Sequence, residues 1–211
     1  MSIKTLKIIV FIICLYPLAR MGFLVMREVD PIAFLLHSTG RWALTGLLIT
    51  LSISPLRQYT GRAELLRFRR MLGLYAFFYA VLHFCIYLGL DRQLDLSTIG
   101  KDIIKRPYIT VGFTALMLLI PLAVTSTDNM MRKLKRNWAR LHRLVYLIAP
   151  LGVLHFYWLV KRDVTVPVIY GVLLTVLLLW RVARWYKRRR AAEGVMKAPS
   201  SAKAVESANR A

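Results

Sequence analysis

Residues 71–90 read MLGLYAFFYAVLHFCIYLGL, and residues 141–160 read LHRLVYLIAPLGVLHFYWLV. Each run is about 20 residues, enough for a helix rising about 1.5 Å per residue to cross about 30 Å of hydrocarbon. Each holds one histidine deep inside it, His83 and His155. An imidazole in hydrocarbon is costly unless partnered, so an ionisable residue at that depth marks a candidate functional site. Two imidazoles at one level on facing helices have a further use, which is to clamp a haem iron from both sides.

Four more apolar segments flank these two, at 7–26, 35–56, 108–125 and 164–181. The backbone of each must satisfy its own hydrogen bonds in lipid, so helices are expected. The fold class read from the sequence is therefore all-α, a polytopic membrane helix bundle of about six transmembrane helices. Residues 1–190 form this transmembrane domain, and the Ala/Ser-rich 191–211 segment reads as a disordered tail. The first segment follows Lys4 and Lys7 as a secretory signal would. Its Pro17-Leu18-Ala19-Arg20 stretch lacks a small-x-small cleavage pattern, and we read it as an uncleaved span.

The composition agrees, with 57% hydrophobic residues and a formal net charge of +21. A soluble chain so basic would point to nucleic acid. Here the charge has to be read by location. Lys4 and Lys7, the arginines of 57–70, the basic residues of 126–143 and the tail from Arg181 all fall on one side of the membrane. On the other side, Arg27, Arg92, Lys101, Lys105, Arg106, Lys161 and Arg162 are nearly balanced by Glu28, Asp30, Asp91, Asp95, Asp102 and Asp163. Positive-inside bias places both termini in the cytoplasm. The arginine-rich face is read as topology and anionic-lipid contact rather than nucleic-acid binding. The two cysteines, Cys14 and Cys85, lie in apolar runs and offer neither a disulfide framework nor metal-ligand spacing.

In this orientation His83 lies roughly 18 Å beyond Met71, and His155 roughly 21 Å beyond Leu141. Both fall in the outer half of the bilayer at similar depth. His142 sits at the cytoplasmic mouth of the fifth segment, with Arg69, Arg70 and Met71 at its level on the third and no histidine there. It is a candidate half of a second ligand pair, with an ordinary interfacial histidine as the alternative. A regular helix would set His142 and His155 about 140° apart, and Pro150 between them is a candidate for distortion. His37 and Arg41 open the second segment on the outer side, where the guanidinium can pair a haem propionate in bidentate fashion. For either central histidine taken singly, an interhelical hydrogen bond is the ordinary alternative. No Gly-rich phosphate loop follows a strand, and no catalytic Ser/His/Asp or paired-carboxylate arrangement is present. The residues thus describe a membrane protein with a candidate haem clamp and no complete catalytic site of its own. A non-redox transporter or assembly subunit, or a self-contained ferric reductase, stands as the alternative.

Several stretches carry a resemblance. They are Leu36-His37-Ser38-Thr39-Gly40-Arg41, Ser54-Pro55-Leu56-Arg57, Arg69-Arg70-Met71-Leu72-Gly73-Leu74 and Leu82-His83. They continue with Arg106-Pro107-Tyr108-Ile109-Thr110, Leu122-Ala123-Val124-Thr125-Ser126, Trp138-Ala139-Arg140-Leu141-His142-Arg143-Leu144-Val145-Tyr146 and His155-Phe156-Tyr157. In this order they resemble the haem-binding membrane subunits of the periplasmic methionine sulfoxide reductase system, the MsrQ family. That family belongs to the ferric-reductase-like transmembrane superfamily. The resemblance implies haem b and a bacterial inner-membrane location. It implies electron transfer to a periplasmic molybdenum-containing methionine sulfoxide reductase that repairs oxidised proteins. Electrons would come from the quinone pool or a cytoplasmic flavin reductase. FMN is also associated with the family, and no motif here supports or excludes it. His83, His155 and His142 match superfamily haem ligands. The NADPH oxidases of the same superfamily carry a second histidine on the third span and a soluble flavin and nucleotide domain; both are absent here, so the resemblance implies an external electron donor.

Overall fold

The computed structural model describes residues 3–197, and the end of the expected tail, 198–211, lies outside them. Among the described residues all regular structure is helical. The chain runs through α1 (Ile3–Leu24), α2 (Pro31–Thr60), α3 (Leu66–Ile86), α4 (Leu96–Lys105), α5 (Pro107–Val124), α6 (Asp128–Leu134), α7 (Arg136–Leu141), α8 (Val145–Leu159) and α9 (Thr165–Lys197). Four of these, α1, α2, α5 and α9, are long and apolar enough to cross a membrane, and so is α3 with its π-helical extension Tyr87–Asp91. The sixth expected span, 141–160, is different. It begins as a 3-10 turn at His142–Leu144 and continues as the 15-residue α8. With the turn and the end of α7 it makes the expected run helical from Leu141 to Leu159.

Local chemistry sets the ends. The Asp30 carboxylate accepts from the Ala33 N–H at 2.9 Å, and Pro31 occupies the first helical position, so α2 starts earlier than its apolar run. The same helix stops at Gly61, which takes a left-handed φ of 71° and returns its N–H to the Arg57 carbonyl. Two segments expected to be loops are helical. Asp95 caps α4 through the Ser97 and Thr98 amides, and Thr127 caps α6 through the Met130 amide. Pro107 separates α4 from α5, holding Arg106 extended. Lys135, at φ 45°, separates α6 from α7.

The packing is built from two helix pairs, α2 along α3 and α5 along α8, with α3 meeting α5 and α2 meeting α8. Gly46 lets α2 and α3 approach closely, since a Cβ there would stand 3.0 Å from the Ala76 Cβ. Leu51, Ile148 and Ala149 are fully buried. α1 packs its Met21 and Leu18 on Ala43 of α2 and Tyr79 of α3, and the Tyr79 hydroxyl donates to the Cys14 carbonyl at 2.8 Å. The outward apolar side chains, such as Ile8, Ile12 and Tyr16 on α1, are exposed as lipid-facing residues are. By its contacts the chain divides into two units at Leu174–Thr175. Within the first, Thr45 of α2 and Tyr170 of α9 share a hydrogen bond of 2.7 Å. The second is the later part of α9, where Arg184 lies over Trp180 and Arg189 over Trp185. The helix includes 191–197, which the sequence reading assigned to the tail.

Candidate functional site

His83 projects from α3 against α2, and its Nδ1 lies 3.0 Å from the Leu36 carbonyl and 3.4 Å from the Thr39 hydroxyl. The Thr39 hydroxyl donates to the Leu35 carbonyl at 2.7 Å, leaving its oxygen free to accept. His155 projects from α8 against α5, with Nδ1 2.7 Å from the Tyr108 carbonyl. A carbonyl accepts only, so both Nδ1 atoms carry the proton. Each Nε2 then holds a lone pair, the state of a histidine ready to bind a metal with its second nitrogen oriented by the backbone.

The two rings lie with centroids 6.1 Å apart and planes at 81°. A metal–imidazole bond is about 2 Å, so two imidazoles sharing one metal on opposite sides have centroids roughly 6 Å apart. The observed pair fits that spacing. Among the described residues no three His, Cys, Asp or Glu side chains converge as a metal cage. The convergence here is of two imidazoles, a donor pair of the kind that could hold a haem iron.

Both histidines line one cavity between α2, α3, α5 and α8, with about 1420 Å³ of atom-free space including its open mouth. Leu44, Leu47, Leu116, Leu119 and Ile148 form its deep apolar part. His37, Arg41, Asp91, Arg92 and Tyr108 also line it. An apolar body with a few polar groups suits a planar, largely hydrophobic ligand bearing charged substituents. His37 and Arg41 are both exposed.

A charge network joins this cavity to α4. The buried Asp102 carboxylate lies 2.8 Å from Arg92 Nε and 2.9 Å from Arg106 Nε, and it accepts from the Tyr87 hydroxyl at 3.2 Å. Arg92 also pairs with Asp91 at 3.3 Å. Its Nε is buried and meets neither carboxylate at a hydrogen-bonding angle, so these contacts are charge pairing rather than aligned hydrogen bonds. Nearby, the Thr98 hydroxyl donates to Asp95 and holds that carboxyl below the usual range.

His142 stands apart from the pair and does not line their cavity. Its ring stacks on Trp138 with centroids 4.0 Å apart, and its Nε2 lies 3.1 Å from the Thr125 hydroxyl. That hydroxyl donates to the Pro121 carbonyl at 2.6 Å, so it accepts from His142 Nε2–H. Trp138 Nε1 donates to the Thr125 carbonyl at 3.0 Å, tying the start of the α7–α8 segment to the end of α5.

The sequence reading did not single out Gly40, Gly112, Thr39, Tyr108 or Arg92 as site residues. No sequence signal marked them, because the Leu36 and Tyr108 carbonyls four residues before Gly40 and Gly112 are identified as acceptors only by the structure.

Residues 39–153 match the family described as ferric reductase like transmembrane component. Curated relatives named protein-methionine-sulfoxide reductase heme-binding subunit MsrQ are similar over most of the chain. The protein from Xanthomonas campestris pv. campestris (strain 8004) is 60% identical over 161 residues, covering 76% of this chain and 74% of its own. That from Xanthomonas euvesicatoria pv. vesicatoria (strain 85-10) is 52% identical over 198 residues, covering 90% and 91%. That from Bordetella pertussis is 46% identical over 196 residues, covering 90% and 95%.

Proposed function

We propose a function from the premise that this chain belongs to the MsrQ heme-binding subunits, within the ferric-reductase-like transmembrane family. It is a multi-pass membrane haem electron-transfer subunit of the bacterial inner membrane, working with a methionine sulfoxide reductase system. In our reading, His83 and His155 would hold the iron of one haem b through their Nε2 atoms. Arg41 and His37, at the cavity wall, bind its propionates. The haem supplies one-electron iron chemistry that no side chain here offers.

The chain's own residues do the rest. The Leu36 and Tyr108 carbonyls hold the two imidazoles as Nδ1–H tautomers, and the leucines of the deep cavity exclude water from the iron. With both termini cytoplasmic by charge bias, the paired histidines lie toward the periplasm. The acceptor is then a periplasmic molybdenum-containing methionine sulfoxide reductase that repairs oxidised proteins. The donor is the quinone pool or a cytoplasmic flavin reductase. His142, stacked on Trp138 with its Nε2–H given to Thr125, would hold a second haem only through Nδ1, and FMN is a further candidate cofactor.

The observation that carries this reading is the imidazole pair, 6.1 Å apart with both Nδ1 atoms committed to backbone carbonyls. Haem quantitation and reduced-minus-oxidised spectra of the purified protein test it. His83→Ala and His155→Ala are each expected to lose most of the haem at this site, and His142→Ala is expected to retain it. Full haem in both of the first two variants refutes the ligand assignment. An absence of haem bands in the wild type supplied with haem would favour a non-redox transporter or assembly role.

A further inference from the structure

We propose that Gly40 and Gly112 are positioning residues, a matched pair of helix notches that admit the His83 and His155 rings and thereby set their tautomer and their crossed orientation. The proposal rests on the reading of these histidines as axial haem ligands.

The two halves of the site use one device. On α2, the Leu36 carbonyl accepts from His83, and Gly40 lies four residues later. On α5, the Tyr108 carbonyl accepts from His155, and Gly112 lies four residues later. In a helix, carbonyl i is bonded to amide i+4, and the Cβ of residue i+4 tilts toward the N-terminus. A side chain at i+4 therefore leans over that carbonyl. Glycine removes the cover, and a donor from a neighbouring helix can reach the second lone pair.

The clearances show how strict each notch is. A Cβ on Gly112 would stand 2.6 Å from His155 Nδ1, 2.8 Å from Cε1 and 3.0 Å from Cγ. A Cβ on Gly40 would stand 3.2 Å from His83 Nδ1 and 3.2 Å from Cε1. The first cannot be accommodated without moving the ring, and the second needs a shift of a few tenths of an ångström. Gly73 on α3 makes no such demand, because a Cβ there meets only the Thr50 methyl at 3.8 Å. The demand on Gly40 and Gly112 thus comes from the imidazoles and not from general helix packing.

The consequence is electronic as well as steric. An Nδ1–H donated to a carbonyl makes the imidazole a stronger donor to iron, and second-shell bonds of this kind tune metal sites. Displacing the ring weakens that bond and raises the reduction potential. It also changes the angle between the ring planes, 81° here. Ferric haem with crossed axial imidazoles gives a strongly anisotropic low-spin electron paramagnetic resonance signal, distinct from the rhombic signal of parallel rings.

The test uses the full chain purified with iron protoporphyrin IX, as wild type, Gly112→Ala, Gly40→Ala and Gly73→Ala. Haem stoichiometry, the ferric resonance spectrum, the midpoint potential and far-UV helicity are read for each. Gly112→Ala is expected to lose the bis-imidazole low-spin signal in favour of a high-spin one, with severalfold less haem at this site. Gly40→Ala is expected to stay low-spin with an altered anisotropy and a raised potential, and Gly73→Ala to match the wild type. A folded Gly112→Ala protein with the wild-type signal and potential overturns the proposal. Should Gly112→Ala fail to fold, an unchanged signal and potential in Gly40→Ala overturns it equally. If His83→Ala and His155→Ala keep the bis-imidazole signature, the ligand reading itself is wrong. If they lose it while both glycine variants keep it, only the present inference falls.

Discussion

Replacing Asp102 by alanine is expected to destabilise the protein by about 3 kcal/mol. Asp102 is 6% exposed and lies between Arg92 and Arg106, with the Tyr87 hydroxyl as a third partner. Removing one partner of a buried ion pair costs about 3–5 kcal/mol, chiefly because the opposite charge is left uncompensated. Here the lower end applies. Arg106 has 47% of its side chain exposed and can turn to water, and Arg92 keeps Asp91 at 3.3 Å. A loss of 3 kcal/mol is roughly a hundredfold in the folding equilibrium, or about 6–12 °C in melting temperature for a chain of this size. Thermal unfolding in detergent, followed by helicity, measures it. Asp102→Asn separates charge from shape, because an amide fills the same space and still accepts from Tyr87, yet compensates neither guanidinium. It is expected to recover little of the loss. Because Asp102 bridges α4 to the Arg92 side chain at the end of the α3 extension, α4 amides should exchange with solvent faster in both variants. A loss below about 1 kcal/mol in Asp102→Ala, with α4 protection unchanged, would refute the reasoning.

Other tests follow from single contacts. Gly46→Val should separate α2 from α3 and cost about 1–3 kcal/mol, because the Ala76 Cβ already limits the space at 3.0 Å; a wild-type melting curve would contradict that packing. Tyr170→Phe removes the 2.7 Å bond to Thr45 and should cost about 0.6 kcal/mol, typical of interhelical bonds in membranes; a double-mutant cycle with Thr45→Val reads the coupling. The hydrogen bond and charge of Arg70 hold the Asp128 carboxyl below its usual range. A depressed folded-state value means that the contribution is complete above the ordinary carboxylate range and is lost as pH falls through the depressed value. Protection of α6 in hydrogen exchange should therefore drop on acidification and at high salt in the wild type, and be less sensitive to both in Asp128→Asn.

Much of the fold is legible in the order of residues because lipid is a simple solvent. A backbone in hydrocarbon must close its own hydrogen bonds, so an apolar run of sufficient length is enough to specify a helix. Four of the apolar runs, with the α3 run and its extension, became helices long enough to cross. The sixth is helical over nearly all of its expected length but passes through a 3-10 turn at His142–Leu144, where His142 and Trp138 contact Thr125 at the end of α5. The helices α4 and α6 were missed because they lie in polar stretches, where caps such as Asp95 and Thr127 signal them more faintly than a long apolar block does.

At the site, the histidines stood out by themselves, since a titratable group inside an apolar run is costly unless it has a partner. Residue order also set their similar depth, because rise per residue along a helix is constant. It could not decide whether the rings met, at what angle, or which nitrogen each would leave free. Those depend on which backbone carbonyl each ring reaches across a helix contact, and a carbonyl has no letter in the sequence. Gly40 and Gly112 read as ordinary small residues until Leu36 and Tyr108 were placed beneath the two imidazoles. Arg92 likewise read as one loop charge among several until the folding of α4 brought Asp102 against it. Apolar length and helical rise are local properties and survive in one dimension. Ring orientation and charge pairing are made between segments far apart in the chain, so only the tertiary structure decided them.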